Sequence, residues 1–353
     1  MTGAEPRAGL RDVAPYVSPQ LDVVARLNTN ECPHPLPEGY FRELAHAVQD
    51  LPLHRYPDQQ MSRLRDELAA ATGHTHDGVW VANGSNEVLT QLLQAYGGPG
   101  RRAAVFEPTY LLHGRLCWLT HTEIERLALP DGFVLGTDQV DEVVGAAPEI
   151  LFVCSPNNPT GNAQPVEAVR AIAERLPASL VIVDEAYGEF SPRTTALPLV
   201  ETHPNVAVVR TFSKAFALAG ARIGYVLAAP DVVGDLQRVR LPYHLSALTQ
   251  AAAIVALRHR PEALDLLGAI AEQRDRIGEE LTAMPGVTAY PSDANFVLFV
   301  PEAPAGEVWQ GLLDRGVLVR DMINVVPNAL RVTAGAEHEV DLFLKALKEV
   351  LGP

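Results

Sequence analysis

Cysteine is scarce. Cys32, Cys117 and Cys154 are the three in 353 residues, an odd number with neither paired nor zinc-type spacing. That count excludes a disulfide scaffold and a structural zinc site, and points to buried thiols in a reducing compartment. Positive charge is also short: 28 Lys and Arg face 43 Asp and Glu, a net charge of −15. Nucleic acid and anionic membrane surfaces are therefore poor principal partners, although a locally basic pocket for a small anion remains allowed. No apolar run approaches the roughly 18 residues of a membrane span. The first residues carry no apolar segment of signal-peptide length, so a cytoplasmic protein is expected. Internal repeats and low-complexity tracts are absent as well.

What is present is length and apolar content (47%) sufficient for two cores. Residues 1–35, with Pro15, Pro19, Pro33 and Pro35, read as an extended arm that packs as no regular element. Helices are expected over 38–50, 61–71, 88–96, 111–120 and 166–176, and strands over 79–81, 103–106, 123–129, 150–154, 179–183 and 206–210. Each strand runs into a polar loop, and the loops lead on to helices. That alternation predicts an α/β fold with a mostly parallel sheet, whose ligands collect at the carboxyl ends of its strands. Ser85, Asn86, Tyr110, Asn157, Asp184 and Lys214 would then meet in one crevice. Ser85 or Asn86 serves there either as a plain helix N-cap or as an anion contact. Helices over 246–258 and 261–284 lead to a second, α+β layer with strands over 287–290, 294–300, 317–320 and 329–333 and helices over 304–315 and 337–351. The expected division is an arm at 1–35, a large domain at 36–258 and a small domain at 259–353.

The densest chemistry lies in Thr211-Phe-Ser-Lys214-Ala-Phe-Ala-Leu-Ala-Gly220-Ala-Arg222. Two hydroxyls, a lysine among small apolar residues and a second cation follow directly on a β-branched strand. Desolvation lowers a lysine's pKa and frees its amine to attack a carbonyl, while hydroxyls and an arginine suit a phosphate. An amine beside a phosphate cradle is what pyridoxal phosphate requires; the plain alternative is a surface lysine after a strand.

These segments, with Asn157, Asp184 and Tyr187, resemble the fold-type I pyridoxal-phosphate enzymes of the aminotransferase class. More narrowly, Leu27-Asn-Thr-Asn-Glu31, Arg55-Tyr-Pro57, Ser155-Pro-Asn-Asn-Pro-Thr-Gly161, Asp184-Glu-Ala-Tyr187, the lysine segment and Arg238-Val-Arg-Leu-Pro-Tyr-His-Leu-Ser246 are similar to the histidinol-phosphate aminotransferases. The resemblance implies a large domain with a seven-stranded sheet and a homodimer with shared active sites. It implies that Lys214 holds the cofactor covalently and moves the substrate proton, and that Asp184 pairs with the ring nitrogen. Asn157 and Tyr187 would bond the ring oxygen, and Tyr110 would stack on the ring. Ser85, Asn86, Thr211, Ser213 and Arg222 would hold the phosphate, with Tyr56 reaching it from the other subunit. Tyr16, Asn30, Arg320 and Arg331 would bind the substrates, histidinol phosphate and glutamate or 2-oxoglutarate.

Cys32 and Asn86 depart from the commonest family pattern, which has asparagine and aspartate there. The alternatives on the same scaffold are an aromatic-amino-acid aminotransferase and a threonine-phosphate decarboxylase. A regulator built on this domain would need a DNA-binding segment, for which the short arm leaves no room.

Overall fold

The computed structural model describes residues 3–15, 17–191 and 194–352. A first short strand, β1 (Ala25–Leu27), precedes seven strands of one sheet: β2 (Val79–Ala82), β3 (Arg102–Glu107), β4 (Glu123–Ala128), β5 (Ile150–Cys154), β6 (Leu180–Asp184), β7 (Val206–Thr211) and β8 (Gly224–Leu227). A second sheet is built from β9 (Val287–Ala289), β10 (Phe296–Pro301), β11 (Val317–Asp321), β12 (Leu330–Thr333) and β1.

The seven-stranded sheet has the order β2-β8-β7-β6-β5-β3-β4, and β8 alone runs against its neighbours. Every residue of β5, β6 and β7 is buried, as expected where helices cover both faces. Alternate residues serve alternate faces. Phe152, Ile182 and Val209 join the cluster beneath α3 (Ser85–Tyr96), α4 (Leu111–Leu119) and α8 (Ala247–Arg258). Leu151, Val153, Val183 and Val208 join the opposite cluster beneath α5 (Thr137–Ala146) and α6 (Val166–Arg175). The chain thus adopts the expected α/β architecture, with a mostly parallel seven-stranded sheet and a smaller α+β layer. The smaller sheet is covered by α9 (Arg260–Ala283), α10 (Ala305–Asp314) and α11 (Glu337–Leu351), which share one apolar cluster with it. Helices α1 (Glu38–Gln49), α2 (Ser62–Thr72) and α7 (Pro230–Val239) complete the set among the described residues.

The proline-rich arm differs from its expectation. Ala25–Leu27 is a packed strand, paired in parallel with β11 through Ala25↔Val317 and Leu27↔Val319. Ala25 and Leu27 both enter the core of the small sheet, which outweighs the local proline content. Strand β8 and helices α5 and α7 lie outside the predicted elements. The three cysteines are free, with Cys117 and Cys154 buried and Cys32 half-buried. Among the described residues no helix is long and apolar enough to cross a membrane, and no group of three or more His, Cys, Asp or Glu could hold a metal ion.

A buried ion pair locks β7 to the residue that follows β6. Glu185 accepts from Arg210 Nη2 (2.7 Å) and Nε (3.1 Å) and also from Thr195 Oγ1 (2.8 Å) and the amide of Ala196 (2.5 Å). Glu189 Oε1 also lies 3.6 Å from Arg210 Nη1, so removing the Glu185 carboxylate leaves the guanidinium one buried partner and leaves Thr195 Oγ1 and the Ala196 amide without their acceptor. Glu185→Ala is therefore expected to destabilise the fold by about 3 kcal/mol. Breaking the exposed Lys348–Glu280 pair should cost about 0–1 kcal/mol. Denaturant midpoints of the two variants check the contrast.

Candidate active site

Five strand ends open on one crevice. Asn83-Gly-Ser85 follows β2, Tyr110 follows β3, Asn157 follows β5, Asp184 ends β6, and Thr211 ends β7. Because β7, β6, β5 and β3 are parallel neighbours, their carboxyl ends lie side by side.

One end of the crevice is an anion cradle. Helix α3 starts at Ser85 without a side-chain cap on its first N–H groups, so these donors and the helix dipole face outward. Two glycines make the approach close. A Cβ on Gly224 would fall 2.0 Å from the Ser85 nitrogen, and one on Gly84 would fall 2.6 Å from Arg222 Nη2. Arg222 itself adopts a left-handed backbone (φ 55°) and donates from Nη1 to Ser213 Oγ (3.2 Å) and to the Ala219 carbonyl (3.1 Å). Thr211 Oγ1 donates to Ser213 Oγ (3.0 Å) and accepts from the Ser213 amide (3.1 Å). A helix N-terminus, two hydroxyls and a guanidinium so arranged suit a phosphate dianion.

The centre of the crevice is carboxylate and amide. Asp184, 2% exposed, accepts from the Ala186 amide (3.1 Å) and faces His113 Nε2 at 3.1 Å. His113 is fully buried, stacked on Phe152 (4.7 Å) and edge-on to Tyr110 (5.5 Å). Asn157 braces the neighbouring loop: it accepts from Thr109 Oγ1 (2.9 Å) and donates to the Pro108 carbonyl (2.8 Å) and Thr160 Oγ1 (2.8 Å). Tyr110 donates to Asn86 Oδ1 at 3.4 Å, joining the two ends of the site. The Tyr187 hydroxyl accepts from Asn30 Nδ2 (2.9 Å), and burial pushes its pKa up to about 12.

Lys214 donates from Nζ to the Thr29 carbonyl (2.9 Å) and lies 5.8 Å from the Tyr187 ring. Its pKa falls from the ordinary 10.5 to about 7, first because burial penalises the ammonium and then because Arg331 and Arg222 are positive; Glu31 opposes the shift. Arg320 and Arg331 face each other across β11 and β12. Arg331 donates to Asn158 Oδ1 (2.5 Å) and to the Asn28 carbonyl (3.0 Å) and lies over the Phe296 ring. Arg320 Nη1 donates to Ser18 Oγ (3.0 Å), and Nη2 to the Val17 carbonyl (3.4 Å).

Within the single chain, most of the sequence-predicted residues therefore meet. Tyr56 is not brought in: it is 78% exposed and stacks on Tyr243 at 4.4 Å. Tyr16 lies outside the described residues. Three participants escaped the sequence reading. His113 is three positions after Tyr110, the residue that precedes α4, a spacing that hints at a shared contact, but nothing in the sequence ties it to Asp184. Asn28 meets Arg331, and Thr29 meets Lys214, through backbone carbonyls, which leave no sequence signature.

The lysine's environment sets a pH expectation. Trapping of a pyridine aldehyde by Lys214 in the cofactor-free protein, followed by reduction and mass spectrometry, should rise with pH around a midpoint of about 7. Because the Arg331 charge lowers that pKa, Arg331→Gln should move the midpoint upward. A wild-type midpoint near 10 would contradict the assigned environment.

The family model described as aminotransferase class I and II matches residues 22–348. A histidinol-phosphate aminotransferase from Mycolicibacterium smegmatis is 47% identical over 98% of this chain and 93% of its own length. One from Frankia casuarinae is 49% identical over 98% of this chain and 90% of its own. Among solved structures, histidinol-phosphate aminotransferase from Sinorhizobium meliloti in complex with pyridoxal-5'-phosphate superposes with a TM-score of 0.87 at 26% identity, covering 99% of this chain and 98% of that one. The chain belongs to the class I and II aminotransferases, enzymes that depend on pyridoxal phosphate.

Proposed function

We propose that the protein transfers the amino group of L-histidinol phosphate to 2-oxoglutarate, giving imidazole acetol phosphate and L-glutamate in L-histidine biosynthesis. The observation that carries this reading is the cross-strand pair Arg320 and Arg331 beside Lys214. Arg331 and Lys214 bond to consecutive carbonyls, those of Asn28 and Thr29, so an anion held by the arginines lies next to the amine. Two guanidiniums suit a phosphate dianion in one half-reaction and the carboxylates of glutamate in the other. The identity to relatives named for this activity supports the same substrate.

The residues present fit pyridoxal phosphate. Side chains at Gly84 and Gly224 would fill the cradle, and the buried Asp184 offers a carboxylate to a cationic ring nitrogen. Pyridoxal phosphate supplies an aldehyde for the substrate nitrogen and an electron-withdrawing ring. Ser85, Asn86, Thr211, Ser213 and Arg222 would hold its phosphate. Asp184 would face the ring nitrogen and favour its protonated form, Asn157 and Tyr187 would serve the ring oxygen, and Tyr110 would pack on the ring. Lys214 Nζ, with its pKa lowered to about 7, would hold the aldehyde end of the cofactor and would accept and return a proton at the substrate Cα. Asn30 orients Tyr187, and Arg320, Arg331 and Tyr16 receive the substrate anion.

A homodimer is part of the proposal. Phe41 (52%), Leu53 (59%), Tyr56 (78%) and Leu241 (72%) are exposed apolar side chains that a second copy would cover, with Tyr56 reaching the partner's phosphate. The cofactor would sit on residues 36–258, with 259–353 and the 1–35 arm completing the substrate side, in a cytoplasmic enzyme.

The test is an absorption titration of the loaded enzyme. L-histidinol phosphate should convert the cofactor to its amine form, while L-phenylalanine should do so at least about tenfold less effectively, a difference of about 1.4 kcal/mol. Equal or better conversion by L-phenylalanine, or carbon dioxide release from L-threonine phosphate, would overturn the substrate. Lys214→Ala should abolish multiple turnover altogether.

A further inference from the structure

Three adjacent strands of the small sheet carry one row of residues across the mouth of the site. Ala25↔Val317 and Leu27↔Val319 are register partners in β1 and β11, which puts Asn28 level with Arg320; Arg320 is in turn the register partner of Arg331 in β12. Asn28 is 1% exposed and uses both ends of its residue. Its carbonyl accepts from Arg331 Nη2 (3.0 Å), and its side-chain Nδ2 donates to the Pro19 carbonyl (2.9 Å). Pro19 directly follows Val17 and Ser18, the two arm residues that Arg320 holds through the Val17 carbonyl and Ser18 Oγ (3.0 Å).

The amide orientation follows from chemistry. A flipped Asn28 would set two oxygens against each other at the Pro19 carbonyl, so the nitrogen faces the arm and Oδ1 faces away. That oxygen is buried without a partner, a cost that an apolar residue of similar size would avoid. The one hydrogen bond this side chain makes among the described residues is therefore the one to the arm.

We propose that Asn28 is a positioning residue of the substrate-anion site: it fixes Arg331 by its carbonyl and the arm by its amide, so that Val17 and Ser18 are set on Arg320 at the height of Arg331. The inference rests on the reading of the two arginines as the substrate-anion site. It makes arm placement a determinant of how tightly anionic substrates are held, separate from the chemistry at Lys214.

Asn28→Ala retains the carbonyl to Arg331 and removes only the contact to Pro19. Because it also removes an unpartnered buried oxygen, the variant is expected to fold as the parent does. In the loaded enzyme, KM for L-histidinol phosphate and for L-glutamate should rise about tenfold, equivalent to about 1.4 kcal/mol, while kcat and the visible spectrum stay as in the parent. Amide hydrogen exchange at Val17, Ser18 and Gln20, measured without substrate, should accelerate. Ser18→Ala should raise both KM values in the same direction, and the double variant should be no worse than the more impaired single one. Unchanged arm exchange in Asn28→Ala, a fall in kcat at constant KM, or additive effects in the double variant would each overturn the proposal. Exchange is read without turnover. A wrong substrate assignment would thus appear as a parent enzyme inert toward L-histidinol phosphate, with the arm exchange still reporting on Asn28.

Discussion

Lys214 is half-buried, with Arg331 and Arg222 close enough to be felt, and both facts disfavour its ammonium form. The rest of the site is compatible with that requirement. The arginines that repel the proton are the groups that suit anionic ligands on either side of the lysine, so one charge arrangement serves reactivity and recognition together. Glu31, which opposes the shift, limits it. A chain of net charge −15 thus keeps a small positive interior where it is useful, with its acidic surplus elsewhere.

Strand direction makes the concentration of groups feasible. Parallel neighbours deliver Tyr110, Asn157, Asp184 and Thr211 at one edge of the sheet, each from its own loop, while the buried strands behind them supply stiffness. The antiparallel strand β8 has a different task. It brings the bare backbone of Gly224 against the start of α3, so the anion cradle is shaped partly by the absence of a side chain. The Glu185–Arg210 pair stands just behind Asp184 and ties the two central strands where loops take over from the sheet.

Much of this was legible in the sequence because parallel strands buried on both faces leave continuous β-branched runs, and the loops after them are punctuated by turn formers. The convergence of Ser85, Asn86, Tyr110, Asn157, Asp184 and Lys214 followed once the strand ends were placed, while Ser213 and Arg222 came with the lysine segment and the family resemblance. What was not legible has identifiable causes. Helix α7 carries Val232-Val-Gly234 and α5 carries Val143-Val-Gly145, weak helix formers whose helicity depends on tertiary packing. Strand β8 is four residues long and merges with the lysine segment. Strand β1 has only three residues, and its partner β11 is almost at the other end of the chain. His113 bonds to a carboxylate far away in sequence, and the contacts of Asn28 to Arg331 and of Thr29 to Lys214 rest on carbonyls that every residue type possesses. Tyr56 makes no contact with the cradle within one chain; its proposed place belongs to a second copy.

The pairing of β1 with β11 also orders events in time. Translation adds roughly 5–20 residues per second, and strands β2 to β8 have all been made well before Val317 is joined to the chain. Until then residues 28–30 lack the surface on which they lie, and Thr29 has no fixed position from which to receive the Lys214 amine. The large sheet and its phosphate cradle can therefore form around an open lysine, and the closing of the small sheet, a highly non-local step, comes after.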